Sequence, residues 1–377
     1  MAIVSISRCP GYQERRVSEA VSDAVTLAGG MERIISSGDR VLLKANMLAP
    51  ADPGDAVTTH PAVIKAVAEL VMEAGGIPFV ADSPGYIFAG GKCRAIRACG
   101  VKALGDELGI ATMQFESLEN PFVLTRVPGG RMLEEVYAAR LALEADVIIN
   151  LPKLKTHAST WYTGAIKNMF GAVATKTRKE AHRLGAHEGF SQSLVDVYAV
   201  FEPRVRLTVM DAVTGMEGEG PRHGRRKQLG LILASPDPVA LDSAASRVIG
   251  FDPLQILTTR YAADRGFGAA RADAIEVLGP PVEEVAVEFE RPSGRRANLP
   301  SVMTKIADRL LVVRPRLDRN GCDCCRICVR SCPVDAISMN DYPVIDRDRC
   351  IECFCCNEMC PTGAMEIKKS WLVRRLD

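Results

Sequence analysis

Ten of the 13 cysteines in this chain fall between residues 322 and 360. Cys322, Cys325, Cys328 and Cys332 precede Pro333 in the spacing C-x2-C-x2-C-x3-C-P, and Cys350, Cys353, Cys356 and Cys360 with Pro361 repeat it. A shift of 28 residues superimposes both sets and also Asp318 on Asp346, Arg319 on Arg347 and Ala336 on Ala364. Cys324 then falls opposite Glu352 and Cys355 opposite Ile327, so the repeat itself separates eight candidate ligands from two further thiols.

Three thiolates two residues apart on a tight loop can each reach a different iron of one cubane, and a distant cysteine must complete it. The spacing therefore predicts two [4Fe-4S] clusters with crossed ligands. Cys322, Cys325, Cys328 and Cys360 would hold one, and Cys350, Cys353, Cys356 and Cys332 the other. Crossing would also staple a segment of about 60 residues whose own core is too small for independent stability. The chemistry is one-electron transfer at low potential. A pair of structural zinc sites is the alternative; it accounts for four ligands per site but not for the matching Cys-Pro ends. Cys324 and Cys355 are expected to pack or shield, and Cys9, Cys93 and Cys99 to be ordinary buried thiols.

A second set of reactive residues lies in Asn150-Leu-Pro-Lys153-Leu-Lys155-Thr-His157 and Thr163-Gly-Ala-Ile-Lys167-Asn168. Lys153, Lys155 and Lys167 could hold a carboxylate or phosphate, while His157 could pass a proton and Asn168 could orient the ligand. A solvated basic loop without chemistry is the plain alternative. The glycine-rich stretch Gly215 to Lys227 matches no phosphate-binding fingerprint and reads as a mobile loop over the pocket or a surface turn. His182 and His187 read as helix-surface residues.

Alternating strand and helix signals must position these groups. Val41 to Asn46 reads as a buried strand, Pro61 to Gly76 as a helix with proline in its first turn and glycines at its end, and Ile77 to Asp82 as the next strand. Asp146 to Asn150, Arg206 to Asp211 and Leu229 to Ser235 read as strands, and Pro238 to Gly250 as a helix. This order predicts an α/β fold with a mainly parallel sheet flanked by helices, followed by a small α+β module. Ligands of such sheets bind beyond the carboxyl ends of the strands. Asn46, Asp82 and Asp211, with Asn150 and Asp237, are thus candidate cofactor- or ligand-binding residues, although capping the next helix is an equally common task for Asp and Asn. Proline, glycine and arginine accumulate between Arg291 and Arg314, which places a linker there. The expected domains are 1–300 and 312–377.

The stretches VADSPG, LPKLKTH, TGAIKNMFG and DPVALD resemble the family described as domain of unknown function 362, over about residues 40 to 250. Members of that family often end in a ferredoxin-like domain, which implies a bacterial-type two-cluster ferredoxin module here. Lys44 to Gly85 is also distantly similar to the N-terminal domain of nickel-dependent lactate racemase, which uses a nickel-carrying pyridine dinucleotide. No histidine pattern of this chain matches nickel ligands.

Composition narrows the rest. The 377 residues are 47% hydrophobic and 25% charged with a formal net charge of +1. That balance gives no global electrostatic reason for nucleic acid or an acidic membrane surface. The sequence shows no signal-like start and no apolar run of membrane-spanning length, so a cytoplasmic location is expected. The leading expectation is an iron-sulfur oxidoreductase that passes electrons to a small anionic substrate, fed by a redox partner such as a ferredoxin or reductase. A non-enzymatic carrier docking such a partner, and a cofactor-dependent isomerase or maturation enzyme, are the alternatives.

Overall fold

The computed structural model describes residues 1–85, 93–185, 187–292 and 313–369. Residues 293–312, and with them most of the expected linker, lie outside the described residues.

Sixteen strands are described: β1 Ala2–Arg8, β2 Arg40–Lys44, β3 Ile77–Asp82, β4 Ala111–Gln114, β5 Phe122–Arg126, β6 Glu135–Ala139, β7 Val147–Asn150, β8 Lys153–His157, β9 Trp161–Tyr162, β10 Val205–Glu217, β11 Arg225–Ser235, β12 Ile275–Leu278, β13 Val313–Leu317, β14 Ile337–Met339, β15 Pro343–Ile345 and β16 Met365–Lys369. The main sheet runs β12-β1-β11-β10-β7-β2-β3-β4, with β8 beside β10 and β9 beside β8. Strands β2, β3, β4, β7, β8 and β10 pair in parallel, while β11 is antiparallel to both β1 and β10. The sheet is therefore mixed but mainly parallel, and helices flank it.

The central strands read as continuous apolar runs because both of their faces are covered. Val41 and Leu43 point into one core with Val147 and Ile149, whereas Leu42 and Ile148 point into the core on the other side. Helix Pro61–Glu73 starts with proline where no hydrogen bond is lost, and the His60 side chain accepts from Ala62 N. Its Val63, Ile64, Val67 and Val71 form the buried stripe. Helix Pro238–Val248 is capped by Asp237, which accepts from Val239 N and Ala240 N at 2.9 Å. Asp237 thus caps this helix, away from the strand ends that carry Asn46 and Asp82.

Two expectations change here. The lysine block is neither a loop nor solvated: Lys153 to His157 form β8, all five residues buried, beside β10. The glycine-rich stretch is the end of the long β10–β11 hairpin, paired as far as Glu217 opposite Arg225 with a register shift between Ala212 and Thr214. Its tip packs on the cysteine module, where a Cβ on Gly363 would sit 3.5 Å from His223 Nδ1.

The cysteine module is built as two matching halves. β13 pairs with β16 and β14 with β15, and Leu317 opposite Met365 corresponds under the 28-residue shift to Ile345 opposite Ile337. Short helices Ile327–Ser331 and Cys355–Glu358 correspond in the same way. So do the left-handed residues Cys324 and Glu352, at φ 56° and 54°, and Arg326 and Phe354, at 60° and 59°. Asp318 N donates to Ala364 O and Asp346 N to Ala336 O, both at 2.8 Å. The sequence repeat is a pseudo-twofold axis in space.

Candidate functional site

Beyond the carboxyl ends of β2 and β3 lies a small crevice, partly open to solvent. Its floor is polar and hydrogen-bonded across several strands. Lys44 Nζ contacts Asp82 Oδ1 at 2.6 Å with both side chains buried, and donates to Asn168 O at 3.0 Å. The other Asp82 oxygen accepts from Met47 N at 2.6 Å. Asn168 donates to Asn150 Oδ1 at 2.8 Å and accepts from Asn46 Nδ2 at 2.9 Å. Asn46, Asp82, Lys167, Asn168, Arg178 and His182 line the space from the α/β body.

The opposite wall is Cys355, Glu358 and Met359 of the cysteine module. Met359 closes so tightly on Gly85 that a Cβ there would meet its Cε at 2.9 Å. Further contacts lock the two parts together: Arg183 Nε donates to Pro333 O at 2.7 Å and Ser159 Oγ to Cys353 O at 3.1 Å.

Behind this lining sit Lys155 and His157. Lys155 Nζ donates to Asn46 Oδ1 at 2.7 Å and to Val57 O at 2.5 Å, neutral acceptors both. Burial, reinforced by Lys167, lowers its pKa to about 7. His157 Nδ1 accepts from Ser159 N at 3.1 Å and Thr160 N at 3.3 Å, so the neutral ring carries its proton on Nε2. That Nε2 stands 3.6 Å from Glu358 Oε1. Burial lowers the pKa of His157 to about 4 and that of His182 to about 3, so both rings are neutral near pH 7. Burial would raise the Glu358 carboxyl, but the nitrogen groups around it, His157 first and Lys167 next, favour its charged form and hold it below its usual range. Lys167 is itself buried, which lowers its pKa, and Glu358 opposes that shift.

Lys153 and Asp211 belong elsewhere. They form a separate buried pair, Nζ to Oδ2 2.8 Å, beside the Tyr12 hydroxyl, which accepts from Lys153 at 2.6 Å and donates to Asp211 Oδ1 at 2.9 Å. The ring of Tyr12 stacks on His60 at 3.7 Å, and His60 N donates to Asp211 at 2.9 Å. Neither Lys153 nor Asp211 lines the crevice, which corrects their expected role: every polar atom of the pair is already engaged in holding β8, β10 and the N-terminal segment together.

In the module, a second, small space is lined by Cys332, Cys350, Cys353 and Cys356, together with Cys355. These include one of the two crossed ligand sets expected from the spacing. The other set is also gathered: burial pushes the Cys328 thiol up to about 11, and Cys360, Cys325 and Cys322 are the thiols that add to the effect. Cys324 lies beside Cys322, and its Sγ donates to Asp341 O at 3.4 Å. Among the described residues, no three His, Cys, Asp or Glu side chains are placed to hold a single metal ion. Four thiols facing one space suit a polynuclear cluster by donor type. Cys9 and Cys99 are buried thiols, while Cys93 is only partly buried.

Some groups of this region were not visible in the sequence pattern. His182 is buried and stacked on Phe190 at 4.3 Å, not on a helix surface. Arg178 donates to Pro84 O at 2.7 Å and to Glu116 at 2.9 Å. Only Glu358 had a signal: the repeat places it opposite Arg330, a reversal of charge at equivalent positions.

Among the described residues no helix is long and apolar enough to cross a membrane. The thylakoid-associated protein sll1697 of Synechocystis is 33% identical over 297 residues, covering 77% of this chain and 87% of its own. The lactate racemase apoprotein of Thermoanaerobacterium thermosaccharolyticum superposes with a TM-score of 0.43 at 13% identity, over 66% of this chain and 57% of that one. That likeness is too loose to speak for mechanism. The model of the family described as domain of unknown function 362 matches residues 41–247, and with the cyanobacterial relative this establishes that the chain belongs to that family.

Proposed function

We propose that this protein is an iron-sulfur oxidoreductase that delivers electrons to a small anionic substrate bound in the crevice between the α/β body and the cysteine module. The observation that carries the reading is Cys355, whose side chain is a wall of both the crevice and the four-thiol cavity. Substrate site and electron source would thus be one side chain apart.

Cys332, Cys350, Cys353 and Cys356 would hold the cluster nearer the crevice, and Cys322, Cys325, Cys328 and Cys360 the outer one. When bound, these clusters supply one-electron transfer. The chain's own residues do the rest. Lys167 provides the charge that attracts an anion, and Asn46 and Asn168 offer fixed amides at the floor. Lys155, with a pKa of about 7 and hydrogen-bonded to Asn46, is suited to give up a proton near neutral pH. Met359 and Cys355 exclude water from that side. The outer thiols Cys322, Cys325 and Cys360 are partly exposed whereas Cys353 and Cys356 are buried, so a redox partner protein would dock on the outer set.

The test is oxygen-free purification with iron and sulfide counts and low-temperature EPR, followed by calorimetric titration with small carboxylates and phosphate. About eight irons and eight sulfides per chain, with ligand binding lost in Lys167→Ala, is the expected result. Protein that holds zinc, or no inorganic sulfide, overturns the reading; a loaded protein that binds no anion reduces it to a carrier.

A further inference from the structure

The two halves of the cysteine module are alike in backbone but not on the face that meets the α/β body. Cys355, Glu358 and Met359 occupy one side of their short helix and line the crevice. The 28-residue shift places them opposite Ile327, Arg330 and Ser331, where Arg330 is exposed to solvent. A carboxylate therefore replaces a cation at the one copy of this position that is inserted into the body.

What surrounds that carboxylate is a set of nitrogen groups from four different segments. His157 Nε2 stands 3.6 Å away, and Lys167, His182, Lys155 and His223 all lie within electrostatic reach of Glu358. The distance to His157 exceeds that of a hydrogen bond. Nε2 is buried, must carry the ring proton because Nδ1 accepts two backbone N–H groups, and has no hydrogen-bond partner among the described residues. A buried donor aimed at a carboxylate it does not quite reach is an incomplete interaction. A carboxylate arriving without a helix attached could complete it.

We infer that the Lys167, His157 and His182 cluster is a carboxylate-binding subsite of the crevice, and that Glu358 occupies it in the resting chain, so that a small carboxylate substrate enters by displacing Glu358. The inference rests on the crevice being the substrate site, as proposed above, but not on the clusters being redox-active. A singly charged carboxylate matches the single charge of the Glu358 side chain it displaces, and this favours carboxylates over doubly charged phosphate.

The experiment is calorimetric titration of acetate, and separately of inorganic phosphate, into the full cluster-loaded chain, comparing the native protein with Glu358→Gln, Lys167→Ala and the double variant. A tethered competitor acts as a high local concentration, so its removal is expected to tighten acetate binding about tenfold, with a smaller gain for phosphate. Lys167→Ala should abolish that gain in the double variant. Acetate affinity unchanged or weakened in Glu358→Gln, or a gain that survives loss of Lys167, overturns the inference. If Glu358→Gln loses iron, Glu358→Asp takes its place: withdrawing the carboxylate by one methylene should give an intermediate gain, and no gain overturns the idea. Iron and sulfide counts on the same samples separate the two proposals. Missing clusters sink electron transfer and leave the masked subsite standing, whereas loaded protein with unchanged acetate affinity does the reverse.

Discussion

Replacing the partners of the buried Lys153–Asp211 pair should have unequal costs, and the inequality can be worked out from their surroundings. In Lys153→Met the stem is replaced by a side chain of similar shape, and Asp211 keeps three donors: the Tyr12 hydroxyl and His60 N at 2.9 Å and Val213 N at 3.3 Å. Breaking a buried pair costs about 3–5 kcal/mol, and so well-solvated a carboxylate belongs at the lower end, about 3 kcal/mol. In Asp211→Leu the ammonium keeps only the Tyr12 oxygen at 2.6 Å. Burial already lowers the Lys153 pKa against the pull of Asp211, so without Asp211 the amine loses its proton. Holding it uncharged at pH 7 against an ordinary value of 10.5 costs about 5 kcal/mol. The double variant should lose less than Asp211→Leu alone, far below the sum of about 8 kcal/mol. Oxygen-free urea unfolding measures all three. Asp211→Leu milder than Lys153→Met, or a double variant that loses the full sum, refutes the pair as described; loss of crevice ligand binding in folded Lys153→Met would restore this lysine to the site.

Three further outcomes follow from the same geometry. Gly171→Ala drives a Cβ into Asp82 Oδ1 and to 2.9 Å from Lys44 Nζ, so it should break the crevice floor at a cost of about 3 kcal/mol or more, read as a lowered Tm; an unchanged Tm means the floor is not close-packed. His157 and His182 have folded-state pKa values of about 4 and about 3, below the unfolded value, so the unfolded chain binds more protons in acid and stability falls as pH drops below about 6.5. Between pH 7.5 and 5 the loss is about 2 kcal/mol for each ring, and because His60 and His223 are lowered as well, denaturation of His182→Gln should be less acid-sensitive than the native protein by about 2 kcal/mol over that window. An equal sensitivity in both proteins counts against buried neutral imidazoles. Cys325→Ser should remove the EPR signal and iron of one cluster, whereas Cys324→Ser, whose thiol points to Asp341 O, should leave both intact; equal damage dismisses the ligand choice.

Much of the frame could be read from the chain because its causes are local. β3 spans Ile77–Asp82 as expected, and the proline start of helix Pro61–Glu73 and the Asp237 cap of helix Pro238–Val248 are signals a few residues long. The parallel sheet followed from strands whose apolar runs need cover on both faces. The site was harder because its partners are distant in sequence. Lys153 meets Asp211 58 residues later, Lys44 meets Asp82 38 residues on, and Glu358 lies 201 residues beyond His157. A lysine next to an apolar run looks the same in sequence whether it faces water or a buried carboxylate. Asn46, Asp82, Lys167 and Asn168 are expected site residues that do line the crevice, Lys155 and His157 stand just behind it, and Lys153 and Asp211 do not take part.

Three buried lysines in one sheet pose a question of energy that separates structure from function. Lys44 and Lys153 each lie against a carboxylate at hydrogen-bonding distance, and each pair is self-contained. Such pairs are close to neutral for stability when whole and costly only when broken. Lys155 has no carboxylate in contact; its acceptors are an asparagine and a backbone carbonyl, and burial takes its pKa to about 7. A buried ammonium without a counter-charge is a net loss for folding that an apolar side chain would avoid. A strongly perturbed amine next to a crevice is therefore better explained by work done there than by stability. On the proposed reading that work is proton delivery, and Asn46, which touches both Lys155 and the crevice, is the group through which the amine acts on what binds there.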